Sequence, residues 1–77
     1  METGSPVDEV VERLGAICEE LGEMAFDTLR EASQCAREDS VAAGALVDSE
    51  KRLTRARRSV EKAISVLKDR SLEPEDY

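Results

Sequence analysis

The 77-residue sequence predicts an all-α protein, an antiparallel helical hairpin of two long helices. Three observations indicate this fold. Apolar residues recur at helical spacing in two long runs, and the two prolines, Pro6 and Pro74, stand near the chain ends. The charge is also asymmetric, since residues 1–39 carry 11 acidic and 3 basic side chains while residues 40–77 carry 7 and 8. Folding the second half back on the first therefore brings opposite charges together.

The first helix is predicted over residues 5–38, after a flexible N-terminus of residues 1–4. Ser5 is the expected N-cap, because its hydroxyl can accept a hydrogen bond from a backbone N–H that has no partner at the helix start. Pro6 suits the first helical position, where no N–H is needed. These signals mark the beginning of the helix.

The apolar and small residues of this helix cover about 200° of its circumference, which is wider than one neighbouring helix needs. One half is expected to contact the second helix: Leu14, Ile17, Leu21 and Met24. The other half is the predicted protein interface: Val11, Gly15, Cys18, Gly22, Phe26 and Leu29. There the two glycines predict a groove that a neighbouring helix approaches closely, and Phe26 is the predicted anchor.

The second helix is predicted over residues 41–70, after a turn near residues 39–40. Large apolar residues recur every seven positions: Leu46, Leu53, Val60 and Leu67. Smaller residues stand four positions before each: Ala42, Ser49, Ala56 and Ala63. This pairing of large and small rows suits close helix packing. Residues 71–77 are predicted to be an acidic disordered tail, because Pro74 cannot continue a helix.

The position of the turn has two rival interpretations. Asp39 or Ser40 is a suitable cap for a second helix, but Gly44 marks another break, which would move the turn to residues 44–48. A single continuous helix of some sixty residues is the third interpretation. The charge asymmetry favours the hairpin with its turn at 39–40.

Basic residues form a ridge opposite the apolar row of the second helix: Lys51, Arg55, Arg58 and Lys62. Such a basic ridge suits phosphates or an acidic protein, so a regulatory protein that binds nucleic acid or an acidic partner is the alternative function. A solvated or ion-paired surface is the competing interpretation. The net charge of −7 and the absence of a nearby aromatic residue favour this competing interpretation.

The sequence predicts no catalytic or metal site. It contains no histidine, and residues 19–23 resemble the E-E-x-x-E opening of the all-α nucleotide pyrophosphohydrolases, whose clustered carboxylates hold magnesium. That chemistry needs a further Glu-x-x-Asp, which is matched only at residues 73–76 in the predicted tail. Glu19 and Glu23 also point away from the apolar band. No enzyme activity, cofactor or small-molecule substrate is therefore expected.

Cys18 and Cys35 lie 17 residues apart on the first predicted helix, a separation of about 25 Å that no disulfide spans. They are expected to be small buried thiols in a reducing compartment. No apolar run approaches the roughly 20 residues that cross a bilayer. The predicted location is therefore the cytoplasm, with the nucleus as an alternative.

The predicted function is a non-enzymatic protein–protein interaction module, such as a small adaptor, assembly subunit or chaperone. The wide apolar band of the first helix is expected to bind either a second copy or another helical subunit. Dimerisation or partner binding would complete a four-helix bundle.

Overall fold

A computed structural model describes residues 5–69, which form two α-helices packed against each other as an antiparallel hairpin. Helix α1 spans Pro6–Cys35 and helix α2 spans Ser40–Lys68. The predicted fold class is therefore confirmed. The predictions for the N-terminus (1–4) and the acidic tail (71–77) lie outside the described residues.

Helix α1 begins with a reciprocal cap. The Ser5 hydroxyl accepts a hydrogen bond from the Asp8 N–H (3.2 Å), and the Asp8 carboxylate accepts one from the Ser5 N–H (3.4 Å). This pair satisfies two backbone donors at the helix start. Pro6 occupies the first turn, as predicted.

Helix α1 ends at Cys35, three residues before the predicted end at 38. The backbone N–H groups of Glu38 and Asp39 both donate to the Cys35 carbonyl, at 3.0 and 2.9 Å. Residues 36–39 thus reverse the chain direction without a glycine, since no described residue has a positive φ.

Helix α2 is capped by Asp39, whose carboxylate accepts a hydrogen bond from the Ala42 N–H at 3.0 Å. Of the two candidate caps, the structure therefore selects Asp39. The competing turn at 44–48 is wrong, because Gly44 lies inside α2. The helix ends at Lys68, two residues before its predicted end at 70.

Buried and half-buried positions recur at alternating spacings of three and four along both helices, the pattern of a coiled coil. On α1 they include Val11, Leu14, Cys18, Leu21, Ala25, Thr28, Ala32 and Cys35. On α2 they include Ala43, Leu46, Glu50, Leu53, Arg57, Val60 and Ile64. Of the described residues only three are buried, and all are alanines: Ala25, Ala32 and Ala43. Their small side chains suit a close approach of the helices.

The contact differs from its predicted composition on both helices. Ile17 and Met24, which were expected against α2, are 43% and 51% exposed. On α2 the expected small residues Ser49, Ala56 and Ala63 are exposed instead of packed. On each helix, apolar or small residues flank the row of large apolar residues on both sides. The other helix packs against only one of these two flanks. The sequence pattern does not say which side is covered.

The hairpin is a single layer of helices, because its smallest dimension is 12 Å and a helix with side chains is about 10–12 Å wide. It therefore has two broad faces, one on each side of the line where the helices meet. Neither helix contains a segment that is both long and apolar enough to cross a membrane, as far as the described residues extend.

Candidate protein-interaction surfaces

The two broad faces are distinguished by the residues on either side of buried Ala25. Because successive helical residues are about 100° apart, Met24 and Phe26 project to opposite faces of the hairpin. The mixed face carries apolar residues from α1 and polar residues from α2: Gly22, Phe26, Leu29, Glu50, Thr54, Arg57 and Glu61. By helical position the apolar face carries apolar and small residues from both helices, with Arg52 at its α2 edge. These residues are Ile17, Leu21, Met24, Thr28, Ser49, Leu53, Ala56, Val60, Ala63 and Leu67.

On the mixed face, the Arg57 side chain lies over Gly22. A Cβ placed on Gly22 would lie 3.1 Å from the Arg57 Nη1 and 3.6 Å from its Cδ. The Cys18 thiol also donates to the Arg57 carbonyl at 3.8 Å. The expected groove at Gly22 is therefore filled by an arginine of the hairpin itself. At Gly15, by contrast, nothing lies within 4 Å of the Cβ position.

Arg57 lies at a contact position, so its aliphatic stem packs between the helices while part of the side chain reaches solvent. Its Nε lies 3.6 Å from the Glu61 Oε2 and has no hydrogen-bond partner, although the atom is buried. Arg57 forms no ion pair with an α1 carboxylate among the described residues. The ion pairs formed within residues 5–68 are Arg57–Glu61 and Asp27–Arg30, and each joins residues of one helix.

The residues of the predicted interface differ in exposure, although Cys18, Gly22 and Phe26 line one groove of the mixed face. Four of them are half-buried along the line where the helices meet: Val11, Gly15, Cys18 and Gly22. Phe26 and Leu29 are 62% and 46% exposed. The Arg30 guanidinium lies 5.8 Å from the centre of the Phe26 ring, within the range of a cation–π contact. Phe26 is thus solvated on a partly charged surface.

The apolar face contains residues that the sequence had assigned to the hairpin contact. Thr28 of α1 and Ser49, Leu53 and Ala56 of α2 line one shallow groove together with Arg52. Leu67, farther along this face, is 41% exposed. The sequence feature that could have identified this face is the row of small residues of α2, Ser49, Ala56 and Ala63, which lies on one flank of the row of large apolar residues. That flank is the one left open by α1.

All four residues of the basic ridge are exposed, and none takes part in an ion pair within the described chain: Lys51, Arg55, Arg58 and Lys62. Three of them line a shallow groove with Glu50 and Thr54. The Thr54 hydroxyl donates to the Glu50 carboxylate at 2.8 Å. Of the two interpretations that keep the ridge unbound, the structure therefore favours the solvated one.

Neither cysteine is in a disulfide. The Cys35 thiol donates to the Asp39 carbonyl at 3.6 Å, beside the turn. Residues 5–69 contain no cluster of three or more histidine, cysteine or acidic side chains arranged to hold a metal ion. The acidic residues of the E-E-x-x-E motif are all exposed: Glu19, Glu20 and Glu23.

Comparison of the chain with protein-family models, curated proteins and solved structures finds no match. Two features of the hairpin itself bear on its function. One is the apolar face, which no second layer covers within residues 5–69, and the other is the exposed basic ridge.

Proposed function

We propose that the protein is a non-enzymatic protein-interaction module, an adaptor, assembly subunit or chaperone that works through the apolar side chains its hairpin leaves uncovered. The observation that supports this function is the burial pattern. Among the described residues only alanines are buried, whereas Ile17, Met24 and Phe26 remain 43–62% exposed. A helical partner, either a second copy or another subunit, would remove these side chains from water.

The hairpin alone buries little apolar surface. A small domain withdraws only about 60% of its unfolded surface from water, which leaves little net stability. Fully burying one large apolar side chain contributes about 1.5–3 kcal/mol. Ile17 and Met24 are already about half buried, so covering each adds roughly half of that free energy. Several such side chains together still supply a substantial part of the 5–15 kcal/mol, roughly, that stabilises an ordinary domain.

The test is the concentration dependence of folding and mass. Sedimentation and thermal unfolding followed by circular dichroism are measured from about 1 to about 100 µM, because a self-associating protein gains thermal stability with concentration. We expect association together with a rising Tm. A monomer that melts cooperatively at the same temperature throughout would contradict the proposed function, since its apolar side chains would need no cover.

A partner other than a second copy is identified by mass. The protein is recovered from its native source with whatever accompanies it, and the masses of the components are determined. A stoichiometric helical protein is expected if the chain serves as a subunit of a mixed assembly.

A second candidate function is the binding of nucleic acid or an acidic protein through the basic ridge. It is favoured by one observation, the exposure of four cations without ion pairs within the described chain. Replacing all four with alanine should abolish binding to a labelled oligonucleotide. The wild-type affinity should also fall steeply between about 50 and 200 mM salt. Absent or salt-independent binding would eliminate this function.

The proposal also includes a reducing intracellular setting, cytoplasmic or nuclear. It is supported by the two free thiols, Cys18 and Cys35, because disulfides persist mainly in oxidising compartments. Thiol titration of the denatured protein from its native source should give both cysteines as reactive thiols. A disulfide-linked dimer in that material would contradict a reducing setting.

A further inference from the structure

We infer that a second copy of this chain docks on the apolar face, with α1 of each copy against α2 of the other. This inference rests on the proposed function and assigns the surface, the occupant and the arrangement. Four features of the molecule support it in turn: its thickness, the composition of its two faces, the charge of its helices and the charge at the edges of the apolar face.

The thickness shows what is missing. Stable domains bury apolar surface between two layers of secondary structure, and this hairpin is one layer with a smallest dimension of 12 Å. A second identical hairpin placed face to face supplies the missing layer. The result is a four-helix bundle in which every helix has two neighbours.

The composition selects the face. A bundle core needs apolar side chains from both helices of each hairpin, and only the apolar face has them. There Met24 of α1 and Ala56 of α2 both project outward beside the helix–helix contact. On the mixed face, α2 instead presents Arg57 and Glu61, which line the groove beside Phe26. A second layer on the mixed face would remove these charged groups from water at a cost in desolvation free energy, whereas covering the apolar face is favourable.

The charge of the helices selects the occupant and its orientation. Helix α1 carries eight acidic and two basic residues, a net charge of −6, and α2 carries three acidic and seven basic residues, a net charge of +4. A two-fold axis parallel to the helices places α1 of one copy against α2 of the other. An axis across the helices pairs each helix with its own copy. Opposite net charges favour the first arrangement, so a second copy complements the hairpin electrostatically.

The edges of the apolar face repeat this complementarity. Arg52, on the α2 edge, lines the same groove as Thr28 of α1. The α1 edge beside Thr28 is acidic, with Asp27 preceding it and Glu31 following it. An axis parallel to the helices keeps each residue at its own level. It therefore brings Arg52 of one copy to the acidic α1 edge of the other.

The first experiment compares two substitutions on either side of Ala25. Met24→Glu and Phe26→Glu make the same charge change in the same helical turn, at residues that are 51% and 62% exposed. Sedimentation equilibrium of the full chain should show that Met24→Glu raises the dimer Kd roughly tenfold or more, because the dimer would bury a carboxylate that has no partner. Phe26→Glu should change the Kd less than about twofold, because it stays in solvent.

Milder and independent variants guard against loss of folding. Met24→Gln adds no charge and keeps a similar helix propensity, and it should weaken the dimer more than Phe26→Gln does. Ala56→Glu places the carboxylate on α2 and should act like Met24→Glu. If Phe26→Glu weakens the dimer as much as Met24→Glu, or if Ala56→Glu has no effect, the assigned face is wrong, although self-association itself stands.

The second experiment tests the arrangement by the sign of an effect. Arg52→Glu is compared with Arg55→Glu, which has the same net charge but lies on the outward basic ridge. At about 20 mM salt, where screening is weak, Arg52→Glu should raise the dimer Kd about fivefold, because each dimer contains two such edges. Arg55→Glu should have less than half that effect. A tighter Arg52→Glu dimer would show that α2 packs against α2 and would overturn the arrangement.

Failure of the inference and failure of the proposed function give different results. A wild-type chain that is monomeric and poorly folded on its own overturns docking of a second copy, but it retains the need for a different helical partner. A wild-type chain that is monomeric and cooperatively folded at all concentrations contradicts the proposed function as well.

Discussion

The two broad faces of the hairpin share the same two helices and the same line of contact, yet they differ in what α2 contributes. On the mixed face α2 presents Arg57 and Glu61 beside exposed Phe26. On the apolar face it presents Leu53 and Ala56 without an acidic neighbour from its own helix in the groove. The mixed face therefore has charged side chains of both signs beside its exposed apolar residue, whereas the groove of the apolar face has one charged side chain, Arg52. The mixed face is accordingly the one better able to remain in water.

The difference teaches that exposure alone does not identify an interaction surface. Phe26 is more exposed than Met24, at 62% against 51%, and it is the larger side chain. Its surroundings, however, are charged, and Arg30 lies near its ring. Met24 lies by helical position on the face of Thr28, Leu53 and Ala56, which a second layer can bury. The neighbours of an exposed apolar residue decide whether a partner can cover it.

The largest expected effect comes from breaking the contact on which both faces depend. Ala32 is 4% exposed, so Ala32→Leu should force the helices apart and lower the free energy of unfolding by about 1–3 kcal/mol. The control is Ala16→Leu, at an exposed position of the same helix, which should change stability by less than about 0.5 kcal/mol. Urea unfolding measures both. Equal effects would mean that the alanines do not set the helix spacing.

A smaller effect distinguishes two glycines beside the mixed face. Gly15→Ala should stabilise the hairpin by up to about 1 kcal/mol, because alanine is the better helix former and nothing lies within 4 Å of the new Cβ. Gly22→Ala should stabilise it less, because Arg57 must move from its position 3.1 Å away. Thermal unfolding of the two variants gives the comparison. A larger gain for Gly22→Ala would contradict the close contact with Arg57.

The smallest expected change in stability comes from removing the charge that keeps the faces different. Arg57 has a buried Nε without a hydrogen bond, so Arg57→Met should be neutral or stabilising by less than about 1 kcal/mol. The variant would also make the α2 side of the mixed face more apolar. Sedimentation should then show species larger than the dimer. Arg58→Met, at an exposed position outside the helix contact, is the control and should leave the mass distribution unchanged.

The two helices were predictable because their determinants are local, whereas the hairpin was preferred to one continuous helix on the charge asymmetry between the two halves of the chain. The Ser5 and Asp39 caps, the helical spacing of apolar residues and the absence of proline between positions 6 and 74 each act over a few residues. The turn was placed nearly correctly for the same reason. Its start was missed by three residues, since residues 36–38 are as compatible with a helix as with the turn that they form.

The candidate surfaces were less predictable. Local pattern identified excess apolar circumference on α1, but it assigned Met24 to the hairpin contact and Gly22 to an outside partner. In the structure Gly22 faces Arg57, and Met24 is half exposed. Helical spacing specifies the angle between residues on one helix, whereas the rotation of that helix toward its neighbour depends on residues far apart in the chain.

The sequence by itself determined the two helical segments and the cap of the first helix, because hydrogen bonding and side-chain periodicity act within a few residues, and it narrowed the reversal of the chain to a few candidate positions. Only the tertiary structure decided which flank of each leucine row became the contact. That decision depends on how Arg57 fits over Gly22 and how closely the alanines of the two helices approach. Both are steric fits between residues of different helices, and Arg57 and Gly22, for example, are 35 residues apart in the chain. Such fits form only when the two helices lie side by side.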